Sequence, residues 1–242
     1  MARVERVGVI VPAAGDGRRL GASRSKALVQ LHARPILSWT LAAVEANDRV
    51  DEVVVVARPE DLGAIEALVA ADGLAKVSTV VPGGPSRRAS VAAGLAALAS
   101  SHGHVAVHDG CRPLLASGAI DRLAAVLQRL GADGVDGVAP CAPVTDTVRW
   151  VAGGEQSGGL VDREQLRALQ TPQVFLRAAL ERAHATAPAE ADDVTDAVLL
   201  ERAGLRVALV KGELENLSIS SAFDLEVAEV LLSRAARGQP AR

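Results

Sequence analysis

A glycine-rich segment near the start of the chain, VIVPAAGDGRRLGASRSKAL (residues 9–28), has the residue types needed to bind a polyphosphate. Four small residues would leave backbone N–H groups open to a phosphate: Ala13, Ala14, Gly15 and Gly17. Arg19 and Lys26 follow, and Lys26 is one of only three lysines in a chain that otherwise uses arginine as its cation. The segment predicts a phosphate-binding loop. The alternative is a glycine turn beside a solvated, arginine-rich face.

The glycine spacing does not match two common nucleotide-binding motifs. A P-loop needs four residues between its glycines and then Gly-Lys-Ser/Thr, which the segment lacks. The dinucleotide motif GxGxxG is missed by one residue, because Gly15, Gly17 and Gly21 are spaced GxGxxxG. The pattern therefore disfavours an NAD-binding protein, which we keep as an alternative of a different class.

A second candidate segment, GGPSRRASV, places polar side chains after a pair of glycines. Gly84, Arg87 and Ser90 could hold a base or a ribose through backbone groups, a guanidinium and a hydroxyl. An ordinary turn into a helix, with Ser86 as the N-cap, would have the same residues. Taken alone, the segment is more typical of that turn.

A third segment, VHDGCRP, follows a run of β-branched residues. The Asp109 carboxylate could hold Mg²⁺ against phosphate oxygens, while the Arg112 guanidinium binds a second phosphate. An Asp–Arg pair that closes a turn before Pro113 is the alternative, and the residues alone do not separate the two.

Strand-like and helix-like patterns alternate over residues 7–141, which indicates how these segments are positioned. The predicted strands are residues 7–11, 53–57, 77–81, 105–108 and 138–141. The alternation predicts an α/β fold with a Rossmann-like, mostly parallel sheet and helices on both faces. The loops that follow parallel strands meet at one edge, where ligands bind. We see no domain boundary and expect one domain over residues 1–242.

The alternation ends at Pro143, and residues 143–170 predict a protruding β-hairpin, or arm. Its two sides are too short to be stable alone, so a second subunit is the simplest cover and a homodimer is expected. Beyond the arm we predict helices in LRAALERAHATA, DDVTDAVLLERAG and SAFDLEVAEVLLSRAA, and strands in RVALV and NLSIS.

The composition is that of an ordinary globular protein, 49% hydrophobic and 23% charged. A net charge of −3 disfavours duplex DNA binding, and the near absence of aromatic residues disfavours stacking on single-stranded nucleic acid. Cys111 and Cys141 have no metal-binding spacing and are typical of a reducing compartment. We find no leader or membrane span, and expect a cytoplasmic protein with neither nucleic-acid nor membrane partners.

Seven segments, in order, resemble the 2-C-methyl-D-erythritol 4-phosphate cytidylyltransferases of the non-mevalonate isoprenoid pathway. They are PAAGDGRRL with Lys26, GGPSRRASVAAGL, VHDGCRP, APVTDT, VDREQL, TPQVF and VTDA. Each is modest alone, but together they cover nearly the whole chain. The resemblance implies a nucleotidyltransferase that forms a CDP-alcohol and pyrophosphate from CTP and a sugar-alcohol phosphate, with Mg²⁺.

The resemblance also implies roles for individual residues. The catalytic cations would be Arg19 and Lys26. The nucleotide-binding residues would be Ala13, Ala14, Gly15, Gly17, Gly84, Arg87, Ser90 and Asp109, and Asp109 would also hold the metal. The acceptor would be bound by Arg112, Thr171 and Thr195, joined across a homodimer by Thr147 and Arg163 of the partner subunit.

One position departs from the family pattern in a way that bears on activity. Where the family has Asn-Ile-Lys, the chain reads ENLSIS, so Ser218 replaces a lysine that contacts the α-phosphate. Three hypotheses follow: another cation such as Lys211 substitutes, the enzyme uses another polyol phosphate such as ribitol 5-phosphate, or the chain is a weakly active nucleotide-binding relative. The cations and acceptor-side residues that are kept favour the first two hypotheses.

Overall fold

The computed structural model describes residues 5–15, 25–154, 156–188 and 194–237. Gly17 and Arg19 of the predicted phosphate loop lie outside the described residues. The strands are β1 (Val7–Pro12), β2 (Gln30–Leu31), β3 (Arg34–Pro35), β4 (Val50–Ala57), β5 (Val77–Pro82), β6 (His104–Val107), β7 (Gly137–Pro143), β8 (Arg149–Val151), β9 (Ser157–Leu160), β10 (Arg167–Leu169), β11 (Gln173–Leu176) and β12 (Val207–Lys211). The helices are α1 (Ile36–Glu45), α2 (Leu62–Asp72), α3 (Arg87–Ala97), α4 (Ala119–Leu130), α5 (Arg177–Thr186), α6 (Asp196–Arg202) and α7 (Ala222–Ala236).

Eight strands form one mixed sheet in the order β10-β7-β11-β6-β1-β4-β5, with β12 paired to β7. The neighbours β6, β1, β4 and β5 are parallel, and β12 is parallel to β7. Strands β10 and β11 run antiparallel to their neighbours. The predicted mostly parallel sheet is confirmed, but the sequence pattern does not predict β10 and β11.

The two faces of the sheet carry separate apolar cores, because successive side chains of a strand point to opposite sides. On β1, Val9 and Val11 belong to one core and Ile10 to the other. The first core includes residues of α1 and α4: Leu37, Leu41, Ile120 and Leu127. The second includes residues of α3, α5 and α6: Val91, Leu95, Leu180 and Leu200. Helices therefore cover both faces, as predicted.

The carboxyl ends of the central strands bring three loops to one edge of the sheet. Each loop continues the ladder of its strand before it departs. The backbone N–H of Ala13 donates to the Val56 carbonyl at 2.7 Å, that of Gly83 to Ala57 at 2.7 Å, and that of His108 to Ile10 at 3.0 Å. The three segments singled out by sequence thus start side by side.

The hairpin of β8 and β9 lies within the predicted arm, residues 143–170, and its two strands pair with each other. In the described part of the arm neither strand pairs with the eight-stranded sheet. Three of its large apolar side chains are exposed: Trp150 (68%), Val151 (72%) and Leu160 (67%). The described residues of the body leave this surface uncovered.

The segment NLSIS does not form the strand that we predict from its alternation; residues 216–220 are irregular. Ile219 makes a backbone bond to the Cys111 carbonyl at 2.9 Å, and its side chain is buried beside α7. The alternation therefore reflects one buried side chain rather than a strand. None of the helices in the described ranges is long and apolar enough to cross a bilayer.

Candidate functional site

A cavity of about 460 Å³ opens where the three loops meet, a volume suited to a small-molecule ligand. We call it the strand-end cavity. Its walls come from the glycine-rich segment, the start of α3 and the loop after β6. The lining residues are Pro12, Ala13, Ala14, Gly15, Lys26, Ala27, Gly84, Pro85, Ser86, Arg87, Ser90, Asp109, Gly110 and Cys111.

The two ends of the glycine-rich segment are tied together at the cavity. The backbone N–H of Lys26 donates to the Gly15 carbonyl at 3.4 Å. The buried hydroxyl of Ser25 donates to the Ala13 carbonyl at 3.3 Å and accepts from the backbone N–H of Ala27 at 3.3 Å. The chain thus returns to its starting point, and Lys26 lines the cavity where the segment ends.

The start of α3 supplies the second wall. Ser86 caps the helix by accepting from the backbone N–H of Ala89 at 3.1 Å, and the Ser90 hydroxyl donates to the Ser86 carbonyl at 3.0 Å. A side chain at Gly84 would collide with Ala89, so the turn requires glycine. The capped turn that we weighed as the alternative is present, and it lines the cavity. Its helix N-terminus favours an anion.

A chain of ion pairs centred on Arg87 joins this second wall to the third, the loop after β6. The Arg87 guanidinium contacts the Asp196 carboxylate at 2.8 Å and the Asp109 carboxylate at 3.4 Å. Asp196 is fully buried, and its other oxygen is 3.0 Å from Nε2 of His184. Arg87 therefore links a cavity-lining carboxylate to one in the protein interior.

Burial raises the pKa of both carboxyl groups, but neighbouring charges and hydrogen bonds outweigh it. Arg87 and Arg112 bring the pKa of Asp109 below its ordinary value, and Arg87 with His184 does the same for Asp196. Burial lowers the pKa of Arg87, but the two carboxylates raise it overall. All three groups are therefore charged near neutral pH, and the positive charge of Arg87 is offset by carboxylates.

The loop after β6 is held by a buried imidazole. His108 is fully buried, with Nε2 at 3.1 Å from the Arg112 carbonyl and Nδ1 at 3.3 Å from the Thr171 hydroxyl. The same hydroxyl accepts from the backbone N–H of Asp109 at 3.0 Å. Burial lowers the pKa of His108 to about 4, so the ring is neutral at pH 7.

The segment that departs from the family pattern packs behind this loop. The Ser218 hydroxyl is 3.3 Å from the Cys111 sulfur, and Cys111 lines the cavity. Arg112 donates to the Asn216 carbonyl at 2.7 Å. Ser218 thus lies next to the cavity wall and brings no charge to it.

Lys211 lies elsewhere. It lines a second cavity of about 190 Å³ together with Gln170 and Glu213, and it is not among the residues that line the strand-end cavity. Within the described ranges, Lys26 is the lining cation that has no carboxylate partner.

The described candidate residues divide into four groups by their location. Eight line the strand-end cavity: Ala13, Ala14, Gly15, Lys26, Gly84, Arg87, Ser90 and Asp109. Arg112 and Thr171 lie behind its wall, where they hold Asp109. Thr195 precedes α6, with its hydroxyl buried and without a hydrogen-bond partner among the described residues.

Thr147 and Arg163 are exposed on the arm and do not line the cavity. The Arg163 guanidinium donates to the Thr145 carbonyl within the arm. The sequence reasoning assigned no role to three contributors, Ser25, His108 and Asp196. Each is a polar residue next to a candidate residue (Lys26, Asp109 or Thr195), and this adjacency is the signal that could have found them.

Comparisons with known proteins agree on one family. The family model described as 2-C-methyl-D-erythritol 4-phosphate cytidylyltransferase matches residues 7–234. A protein of that name from Streptomyces coelicolor is 41% identical over 95% of this chain and 86% of its own length. One from Thermosynechococcus vestitus is 40% identical over 93% of this chain and 94% of its own.

Solved structures agree. The crystal structure of 2-C-methyl-D-erythritol 4-phosphate cytidylyltransferase from Thermus thermophilus is 35% identical, covers 93% of this chain and 98% of its own, and superposes with a TM-score of 0.74. The 4-diphosphocytidyl-2C-methyl-D-erythritol synthase of Anaerococcus prevotii reaches a TM-score of 0.79 over 95% of this chain and 97% of its own. At 24% identity it speaks for the fold alone.

Proposed function

The chain belongs to the 2-C-methyl-D-erythritol 4-phosphate cytidylyltransferase family, and on that premise we propose how its residues transfer CMP from CTP to 2-C-methyl-D-erythritol 4-phosphate. A phosphate oxygen of the acceptor attacks the α-phosphorus of CTP. The bond from that phosphorus to the oxygen leading to the β-phosphate breaks, and pyrophosphate leaves. The products are a CDP-alcohol and pyrophosphate.

CTP occupies the strand-end cavity. The triphosphate lies along Ala13 to Gly15 and the following Gly17, with cytosine and ribose at Gly84, Arg87 and Ser90. The observation that carries this placement is that both segments line one cavity together with Asp109. The capped N-terminus of α3 adds favourable electrostatics for the nucleotide.

Lys26 and Arg19 stabilise the charge that develops on the α-phosphate during in-line attack. Support for Lys26 comes from its position in the cavity wall without a carboxylate partner among the described residues. Arg87, whose charge is offset by Asp109 and Asp196, suits binding and support better than this role. Such catalysis consists of positioning and electrostatic stabilisation, so it needs no covalent nucleophile.

Asp109 is the residue that would hold Mg²⁺. Its carboxylate is ionised, and its contacts with Arg87 and Arg112 are both 3.4 Å long, so its oxygens keep the capacity to bind a cation. Over the described ranges there is no cluster of three His, Cys, Asp or Glu side chains that could hold a metal by itself. A single carboxylate fits Mg²⁺, which proteins commonly hold with one or two carboxylates plus substrate phosphates and which neutralises phosphate charge.

The acceptor lies beside Asp109, on the side of Arg112, Thr171 and Thr195. We propose that the chain is one domain and that residues 143–170 are its dimerisation arm. Thr147 and Arg163 of the partner subunit then complete the acceptor site. The exposed Trp150, Val151 and Leu160 support this assembly, because a two-stranded hairpin with an apolar surface needs a cover.

A second candidate function rests on Ser218. Because Ser218 and Lys211 bring no charge to the strand-end cavity, the chain has fewer α-phosphate cations than the family pattern implies. A related enzyme acting on another polyol phosphate, such as ribitol 5-phosphate, or a weakly active relative would be compatible with this loss.

Pyrophosphate release separates these functions. The purified protein is incubated with CTP and Mg²⁺, with 2-C-methyl-D-erythritol 4-phosphate in one reaction and ribitol 5-phosphate in another. We expect release with the first acceptor and its loss in a Lys26→Met variant. Release with ribitol 5-phosphate alone would show that ribitol 5-phosphate is the acceptor. CTP binding without release from either acceptor would support the hypothesis of a weakly active relative.

A further inference from the structure

The His108 ring connects to both candidate residues of its loop, to Arg112 directly and to Asp109 through Thr171. His108 directly follows β6, and its backbone N–H already bonds to β1 through the Ile10 carbonyl. Both ring nitrogens instead contact groups outside the strands, namely the Arg112 carbonyl and the Thr171 hydroxyl. The ring therefore spans from one end of the Asp109–Arg112 turn to the loop before β11.

The direction of each hydrogen bond follows from its neighbours. The Thr171 oxygen accepts from the backbone N–H of Asp109, so its hydroxyl hydrogen is available to Nδ1 of His108. The Arg112 carbonyl can only accept, so Nε2 carries the ring hydrogen. One neutral tautomer satisfies all three contacts and connects the peptide of Asp109 to that of Arg112.

We propose that His108 is a positioning residue for the transfer reaction, setting Asp109 through Thr171 and Arg112 through its carbonyl. This inference rests on the proposed function, in which Asp109 serves CTP and Arg112 serves the acceptor. The imidazole touches neither substrate. It fixes the separation of the two groups that bind them.

A second buried histidine, at the start of β6, shows that the sheet does not need a histidine that bridges two loops. His104 begins β6, is 7% exposed, and has an Nδ1 atom without a hydrogen-bond partner among the described residues. It packs in the strand and does not bridge two loops. His104→Gln is therefore a matched control for replacing a buried imidazole in this part of the sheet.

Two amide variants separate the two ends of the ring. The amide of His108→Asn can occupy the Nδ1 position and keep the Thr171 contact, whereas that of His108→Gln can reach the Nε2 position and keep the Arg112 contact. We expect His108→Asn to raise the KM for the acceptor about tenfold with little change for CTP, and His108→Gln to do the reverse. His108→Ala should raise both, and His104→Gln neither.

A second pair of variants tests the same link from its other end. Thr171→Val should raise the KM for CTP as His108→Gln does, in addition to its direct effect on the acceptor, and Thr171→Ser should restore the KM for CTP. The double variant His108→Gln/Thr171→Val should be no worse than the poorer single variant, because both break one connection. This pair also decides the matter if His108→Ala does not fold.

Equal changes in both KM values for His108→Asn and His108→Gln, or additive losses in the double variant, would overturn the inference. The absence of pyrophosphate release from the unmodified enzyme would instead overturn the proposed function, and it would be seen before any variant is made.

Discussion

The strand-end cavity and the arm of the same chain differ in whether their side chains find partners within the chain. At the cavity, Arg87, Asp109 and Asp196 are matched with one another inside the body of the protein. On the arm, Trp150 is 68% exposed and Val151 72% exposed. The cavity is organised by one chain, whereas the arm presents an apolar surface that the described residues of this chain leave uncovered.

The difference follows from what each region must keep away from water. A buried charge is costly without a partner, so the ion pairs behind the cavity must form as the chain folds. An exposed apolar hairpin costs little in the folded monomer, and it becomes favourable only on association. On the proposed function, the nucleotide half of the site would therefore be preformed, and the acceptor half would depend on assembly.

The largest effect should come from removing the cation that holds the cavity network. Arg87→Met leaves the fully buried carboxylate of Asp196 with only His184, and we expect a loss of about 3–5 kcal/mol in the free energy of unfolding. Urea denaturation measures it. Arg122→Met, which breaks an exposed pair with Glu213, should cost less than about 1 kcal/mol. Equal losses in the two variants would contradict the proposed difference between the buried ion pair and the exposed one.

The ion pair of Arg87 with Asp196 should also make the free energy of unfolding depend on pH. The pKa of Asp196 is lower in the folded protein than its ordinary value of 3.8, so its stabilising contribution is complete above that value. The contribution is lost as the pH falls through the folded pKa. As the pH falls from 5 to below 3.8, the unfolding free energy of the Arg87→Met variant should decrease less than that of the unmodified protein, because the variant has already lost this ion pair.

The next effect concerns the catalytic rate and leaves stability unchanged. Lys26→Met should lower kcat by about a hundred- to a thousandfold, because it removes a preorganised cation from the α-phosphate. Its melting temperature should stay within about two degrees of the unmodified value, since Lys26 has no ion pair among the described residues to lose. Lys211→Met, in the second cavity, is the control and should keep full activity. A comparable loss there would assign Lys211 to the reaction.

A gain is expected from restoring a charge beside the cavity. Ser218→Lys places a cation next to Cys111, and we expect kcat for pyrophosphate release to rise about tenfold. Leu214→Lys adds the same charge at a position 74% exposed and should leave kcat unchanged. If both variants match the unmodified enzyme, the missing lysine is not what limits the reaction.

The smallest effect on folding should be on the arm. Trp150→Ser should change the free energy of unfolding by at most about 0.5 kcal/mol, because the ring is exposed in the monomer. Light scattering at micromolar concentration should nevertheless report a monomer in place of a dimer. Phe223→Ser removes an equally exposed aromatic ring from α7 and should leave the dimer intact. Loss of the dimer in both variants would remove the distinction between the arm and other exposed apolar surface.

Much of the architecture was predictable from local pattern. The parallel strands β1, β4, β5 and β6 are rich in β-branched residues, and each of them, like β7, was predicted to within a few residues. The capping of α3 by Ser86 follows from a serine three residues before a backbone N–H that needs a partner. These features depend on near neighbours in the chain, which is why a sequence displays them.

The antiparallel strands were not predictable in this way. Strand β11 is a short apolar run beside a helix, and its pairing with β6 and β7 depends on residues far away in sequence. NLSIS shows the converse, because its alternation predicts a strand that no neighbouring strand is placed to pair with. A strand forms only where another strand is placed to pair with it, and local composition does not identify that second strand.

Local sequence is enough to specify the chemical parts of the protein: the glycine-rich segment with Lys26, the acidic residue Asp109, and the strands that carry them. The tertiary structure alone decided which charges are free to act. Arg87 is offset by Asp109 and Asp196, the latter 109 positions away, and His108 meets Thr171 63 positions away. The reason is physical, because the electrostatic role of a side chain depends on what surrounds it after folding, and those surroundings come from distant parts of the chain.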